Sequence, residues 1–150
     1  MKRLALLFIF LLSGCLAQPT PAPTITISAP MILSAEENPR APHPGDEKFN
    51  REGVIITSVN LIARVDLNPT RIQINPSGSM PSTCGDLRLQ VKPPDADYRI
   101  FIEAYSLTDP KKKCENVFQQ FETNILLGVY SPGRYTIWVN ENLIGDFVAY

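Results

Sequence analysis

From Val54 onward, apolar and polar residues alternate with period two in short runs separated by turn residues, the pattern of strands that bury one face. In the first run Val59, Leu61, Ala63, Val65 and Leu67 share one face. Ser58, Asn60, Arg64 and Asp66 take the other, with Ile62 as an apolar exception. Asn68-Pro69-Thr70 turns the chain into a second run carrying Ile72 and Ile74, which Pro76-Ser77-Gly78-Ser79 is expected to break. A third run carries Leu87, Leu89 and Val91 and ends at Pro93-Pro94-Asp95. A fourth places Ile100, Ile102 and Ala104 opposite Arg99, Phe101, Glu103 and Tyr105. Phe121, Thr123, Ile125 and Leu127 form a fifth run. Glu115 to Leu126 is the one stretch ambiguous with a helix, and Thr123, Ile125 and Gly128 favour a strand. Ser131-Pro132-Gly133 opens a sixth run with Tyr135, Ile137 and Val139 on one face. A tight turn at Asn140-Glu141-Asn142 leads to a seventh, from Leu143 to Tyr150. Seven short strands within 54–150 predict an all-β, two-layer sandwich.

The chain before Val54 has a different character. Lys2 and Arg3 precede a nine-residue apolar stretch, Leu4 to Leu12, which closes on Ser13-Gly14-Cys15. Nine residues fall well short of the about 20 needed to span a bilayer as a helix. They suit the core of a cleaved leader, with the two cations held on the cytoplasmic side. Leu12-Ser13-Gly14-Cys15 resembles the lipobox of bacterial lipoproteins. That resemblance implies a signal peptide over 1–14, lipidation of Cys15, and an extracytoplasmic protein tied to the cell membrane. Where an outer membrane exists, Leu16 in place of aspartate points to that membrane. Two or three acyl chains anchor stably, whereas one binds only marginally.

Residues 15–53 read as the lipidated cysteine and a proline-rich linker, since seven of the 14 prolines fall between Pro19 and Pro44. If extended at roughly 3 Å per residue, residues 16–53 reach on the order of 100 Å from the lipid. Ile25-Thr26-Ile27-Ser28 and Met31-Ile32-Leu33 interrupt the linker, either adding an edge strand to the sandwich or remaining part of the tether.

The 150-residue chain has a formal charge of −1. Without residues 1–14 it keeps 12 basic against 15 acidic residues, a charge of −3. This balance argues against a nucleic-acid partner, which needs a basic patch to neutralise phosphates. With Cys15 lipidated, Cys84 and Cys114 remain as an even pair, which in an exported protein reads as a disulfide. Zinc is the poorer reading, because two cysteines and a distant His43 do not complete four ligands. The bridge is expected to pin the Pro76–Pro81 loop to the Asp109–Lys113 loop at one end of the sandwich.

Ser131-Pro132-Gly133-Arg134-Tyr135-Thr136-Ile137-Trp138-Val139-Asn140 resembles the closing hairpin of immunoglobulin-like and fibronectin-III-like bacterial surface domains. Pro81-Ser82-Thr83-Cys84, with Cys114 after the fourth strand, resembles small Ig-like domains of bacterial lipoproteins. The likeness covers 54–150 and implies an Ig-like fold without implying an activity. The antibody arrangement of two core cysteines around a central tryptophan is absent.

Candidate chemistry is sparse. The only histidine, His43, lies between prolines in the linker and lacks the third group that would hold it as a base. Asp95, Asp97 and Glu103 offer paired carboxylates, but Asp95-Ala96-Asp97 is turn chemistry, and calcium needs six or more oxygens. Lys111-Lys112-Lys113 reads as a solvated loop tip or as an attractor of anionic glycan or lipid headgroups. Alternation puts Trp138, Phe101 and Tyr105 on outer faces. If their strands share a sheet they form an exposed aromatic patch of the kind that marks binding surfaces; otherwise linker residues such as Met31-Ile32-Leu33 cover them, or theirs is the true inner face. The expected protein is therefore a non-enzymatic, lipid-anchored adhesion or binding module for a protein or glycan. It would need no cofactor and hold no metal. Two other classes remain open: a protease inhibitor acting through a Ser77-Gly78-Ser79-Met80 loop, and a structural subunit of a surface complex.

Overall fold

The computed structural model describes residues 37–150. The lipobox cysteine Cys15 and the apolar segments within 25–33 lie outside the described residues. The described chain is a β-sandwich of nine strands: β1 (Asn50–Gly53), β2 (Ile55–Arg64), β3 (Arg71–Met80), β4 (Asp86–Val91), β5 (Arg99–Thr108), β6 (Gln119–Glu122), β7 (Ile125–Leu126), β8 (Gly133–Val139) and β9 (Asn142–Ala149). The count exceeds the seven expected because β1 arises upstream of Val54 and the fifth run divides into β6 and β7.

One sheet contains β2, β3 and, on the far side of β3, β6 and β7 in succession. The other is built around β5, which pairs with β4 along one edge. The other edge of β5 is shared. Arg99 to Ile102 pair in parallel with β8, and Tyr105 to Thr108 pair antiparallel with β1. β9 completes this sheet beside β8. The chain crosses from one sheet to the other at Val54, between β1 and β2.

Alternation places the core as the pattern predicts. Ile100, Ile102, Ile137 and Val139 from one sheet meet Ile74, Ile125 and Leu127 from the other, each at most 2% exposed. At about 25 cal/mol per Å² of apolar surface, burying each such side chain contributes on the order of 2 kcal/mol before entropy is counted. In β2 the expected inner face holds only through Val59 and Leu61. Val65 is exposed, because the chain leaves the strand after Arg64 and turns, Leu67 N–H donating to the Arg64 carbonyl.

The second run does not end at Pro76. β3 continues through Ser77-Gly78-Ser79 to Met80, pairing with β2 on one side and β6 on the other. Proline is tolerated here because its ladder-facing edge lies in the gap between β6 and β7. Its carbonyl still accepts the Thr123 N–H at 3.2 Å. Gly78 is required by packing, since a Cβ there would sit 2.0 Å from the Ile55 carbonyl oxygen, beside the register shift between Ile56 and Ser58.

The boundary at residue 53 also moves. The Glu37 carbonyl accepts from Leu126 N–H, and the Arg40 carbonyl accepts from Leu89 N–H. The Asn38 side chain, 3% exposed, donates to the Leu89 carbonyl at 2.7 Å. This strap ties the β7 edge of one sheet to the β4 edge of the other, so residues 37–53 belong to the folded unit rather than to a tether. Polar, proline-containing sequence hides that role because the strap bonds mainly through backbone atoms and one amide.

Candidate functional site

The outer face of the β5 sheet is where the sequence-predicted aromatic residues meet. Parallel pairing brings Phe101 opposite Trp138, with ring centroids 6.1 Å apart and planes tilted by 32°, within the range of favourable aromatic pairs. Both remain half-buried. Trp138 is oriented by its indole N–H, which donates to Thr136 Oγ1 at 3.1 Å. Arg99 lies over the Phe101 ring at 5.7 Å and is held by Asp95, whose carboxylate accepts from Arg99 Nε at 2.7 Å. Asp95 also accepts from the backbone N–H groups of Asp97 and Arg99. It thus serves a turn, as the Asp-Ala-Asp pattern suggests.

Tyr105 shares this face but is not exposed. The Arg51 guanidinium sits 3.7 Å from its ring centroid, and only 7% of the residue is accessible. That covering explains why the three-residue patch expected from alternation reduces to two open rings. Burial raises the Tyr105 phenol above its usual pKa. Arg51 pairs in turn with Glu103, which also lies 3.8 Å from Lys92 Nζ. A row of alternating charge therefore runs beside the aromatic pair.

Between these groups opens a hollow of about 660 Å³, walled by Arg51, Lys92, Phe101, Glu103, Tyr105 and the Asn140-Glu141 turn. It overlies the seam where β5 passes from β8 to β1. At that seam no strand lies opposite Ala104 on the edge of β5 that β8 and β1 share. Asn140 fills the vacancy: its Oδ1 accepts from Ala104 N–H at 2.8 Å and its Nδ2 donates to the Ala104 carbonyl at 3.0 Å. Its own backbone N–H donates to the Ile102 carbonyl. Asn140 and Glu141 have φ of 44° and 68°, the pair of left-handed residues that a tight type I′ hairpin turn demands and that asparagine tolerates best. The Asn-Glu-Asn turn was legible in the sequence; its reach across the sheet to Ala104 was not, because it joins residues 36 positions apart.

Farther along the same outer face, Arg88 is 8% exposed. It is covered by the 3-10 turn Asp46–Lys48, whose Asp46 carboxylate receives Arg88 Nε at 2.9 Å and Nη2 at 3.2 Å. Asp86 receives Nη1 at 2.7 Å. The hydrogen bonds from Arg88 hold the Asp46 carboxyl below its ordinary pKa. His43 stands exposed before this turn, its backbone N–H donating to Asp46.

The Cys84–Cys114 disulfide is present, with Cα atoms 5.7 Å apart. It joins the β3–β4 connection to the β5–β6 loop, where Thr83 N–H also donates to the Glu115 carbonyl. Ser77, Gly78, Ser79 and Met80 do not form the loop expected for an inhibitor. They are ladder residues of β3, and Gly78, Ser79 and Met80 are buried. The run of small residues fits a strand hemmed on both sides, not an exposed bait segment. No group of three or more His, Cys, Asp or Glu residues placed to hold a metal occurs among the described residues. None of their helices is long and apolar enough to cross a membrane.

A second hollow, of about 650 Å³, opens at the end of the sandwich near Ile72, Tyr130, Phe147 and Tyr150. The Tyr130 hydroxyl is buried there without a hydrogen-bond partner among the described residues, and burial drives its pKa upward.

Comparison with known proteins agrees with this architecture. No curated protein and no solved structure matches the chain. The ORF11 beta-sandwich domain family matches residues 74–149, from the middle of β3 to the end of β9, just over half of the sequence. The matched span carries most of the core, the whole of β5, β8 and β9, and the Asn140 turn, and on that match the chain belongs to the ORF11 beta-sandwich domain family.

Proposed function

We propose that this chain is a membrane-anchored cell-envelope lipoprotein whose sandwich is a non-enzymatic binding module for a protein or glycan. The lipobox-like Leu12-Ser13-Gly14-Cys15 supports the anchor and the extracytoplasmic location, and the disulfide fits an oxidising compartment. The observation that carries the binding reading is the half-open Phe101–Trp138 pair beside the charged hollow. Aromatic and arginine side chains dominate the energetics of protein interfaces when they sit in preformed, rigid surroundings. Here Trp138 is fixed by Thr136, Phe101 by Arg99, and Arg51 by Tyr105 and Glu103. A protein partner is favoured, since the hollow is shallow and flanked by charges of both signs that set register more than affinity.

Crosslinked pull-down from intact cells, followed by mass spectrometry, tests the proposal. Wild-type protein captures a partner that Trp138→Ala and Phe101→Ala lose while their melting temperatures stay near wild type. Capture undiminished in both variants would refute the site. Capture of glycan in place of protein would reassign the ligand class. The anchor is tested separately: in high salt, Cys15→Ser protein leaves the membrane fraction yet folds, and its retention there would refute lipidation.

A further inference from the structure

The opposite end of the β5 sheet carries a different surface. The β5–β6 loop begins with a turn in which Asp109 accepts from Lys111 N–H at 2.9 Å and Lys112 N–H donates to the Asp109 carbonyl at 3.0 Å. That turn presents Lys111, Lys112 and Lys113, all exposed. The disulfide at Cys114 and the Thr83–Glu115 backbone bond then fasten the loop to the body. Immediately after the fastening, Val117 and Phe118 are 54% and 59% exposed. Asn50 pairs with Thr108, so the preceding residue Phe49, 41% exposed, lies at this same end with Lys48. Apolar side chains left in water beside a lysine cluster, on a loop held firm from within, have the composition of a surface that seats rings at a bilayer interface and ammonium groups among headgroups. Exposed Glu47 and Glu115 flank the cluster without interrupting the triplet.

We infer that this loop, through Lys111 to Lys113 and Phe118, docks the sandwich onto an anionic phospholipid surface. The inference draws its setting from the proposed lipid anchor but uses none of the residues of the aromatic face. Reach is no obstacle. The described chain begins at Glu37, beside Arg71 at the other end of the sandwich. Twenty-one residues lie between Cys15 and Glu37. At up to about 3.3 Å each they exceed twice the length of a ten-residue strand, so the anchored domain can lay its far end on the same bilayer. Attraction of about fivefold per lysine near an anionic surface makes the triplet worth on the order of a hundredfold in partitioning.

The test uses the full chain carrying Cys15→Ser, Trp138→Phe and Phe118→Trp, which leaves a single tryptophan on the loop. Its fluorescence is followed with vesicles of phosphatidylglycerol and phosphatidylcholine mixed, and of phosphatidylcholine alone. The expected result is a blue shift and quenching by brominated lipid only on anionic vesicles. Replacing all three lysines by serine should weaken this by about a hundredfold, and raised salt should weaken it too. No shift on anionic vesicles, or the same shift on both compositions, overturns the inference. A near-wild-type melting temperature with the disulfide intact shows that each variant is folded. Fractionation of the Cys15→Ser chain in high salt, where the lysine triplet no longer holds the loop to lipid, reads the anchor alone, so failure of that reading and failure of this one are distinguishable.

Discussion

Replacing Asn140 tests how the sheet survives a break along its central strand. The side chain makes two hydrogen bonds to the backbone of Ala104, at 2.8 and 3.0 Å, where neither β8 nor β1 offers a partner. Asn140→Gly keeps the turn and the bond from its own N–H to Ile102, but strands the N–H and C=O of Ala104 in a partly buried seam. At about 1 kcal/mol per lost bond, the loss is about 2 kcal/mol. Asn140→Ala loses the same bonds and also forces a Cβ-bearing residue without a compensating amide to φ of 44°, adding about 1 kcal/mol. For a domain of this size those losses correspond to melting-temperature drops of roughly 8 and 12 °C. Urea titration followed by far-ultraviolet circular dichroism, with the disulfide kept oxidised, measures both. A glycine variant within about 0.5 kcal/mol of wild type would refute the bridging role, since that is the scatter of neutral surface changes. Equal losses for glycine and alanine would retain the bridge and refute the contribution from turn strain. Because Asn140 is the partner of the Ala104 N–H, hydrogen exchange at Ala104 should quicken in both variants before global unfolding.

Two further outcomes concern the segments that cover the sheet. Asp46 has a pKa lowered by its bonds from Arg88. A depressed carboxylate pKa means that its stabilisation is present above the unfolded value of about 3.9 and is lost as pH falls through the lower folded value. Asp46→Asn should therefore cost about 1–3 kcal/mol near neutral pH, and its acid titration of stability should be shallower than wild type; parallel acid profiles would refute the linkage. Reducing Cys84–Cys114, 30 residues apart, should lower stability by about 3–4 kcal/mol on the chain-entropy estimate. The sandwich should stay folded, read as retained β-sheet dichroism, because the core of Ile74, Ile100 and Ile137 is independent of the bridge; collapse of the sheet signal on reduction would refute that independence.

The alternating runs were legible because burial of one face writes itself into every second residue. β4, β5, β8 and β9 appear where the periodicity puts them, and Ile100, Ile102, Ile137 and Val139 face inward as expected. The errors have physical sources. Pro76-Ser77-Gly78-Ser79 reads as a turn by composition, yet the local gap between β6 and β7 accommodates the proline, and the close approach of Ile55 selects glycine. Residues 37–53 read as linker because their hold on the domain lies in backbone bonds, the amide of Asn38 and one carboxylate, none of which leaves a periodic trace. Trp138 and Phe101 were correctly placed on outer faces. Tyr105 was placed on the same face, but its cover, Arg51, comes from a strand not expected there.

By itself, the sequence determined the all-β class, the inner face of most strands, the tight turn at Asn140 and the availability of Cys84 and Cys114 to each other. All of these depend on neighbours within a few residues or on simple counts. Only the tertiary structure decided that β5 shares one edge between β8 and β1, and with it the meeting of Phe101 and Trp138, the hollow over the seam, and the bridging duty of Asn140. Strand order rests on which edges find each other across long loops. That choice follows from the summed fit of the two layers, and no local alternation of residues encodes it.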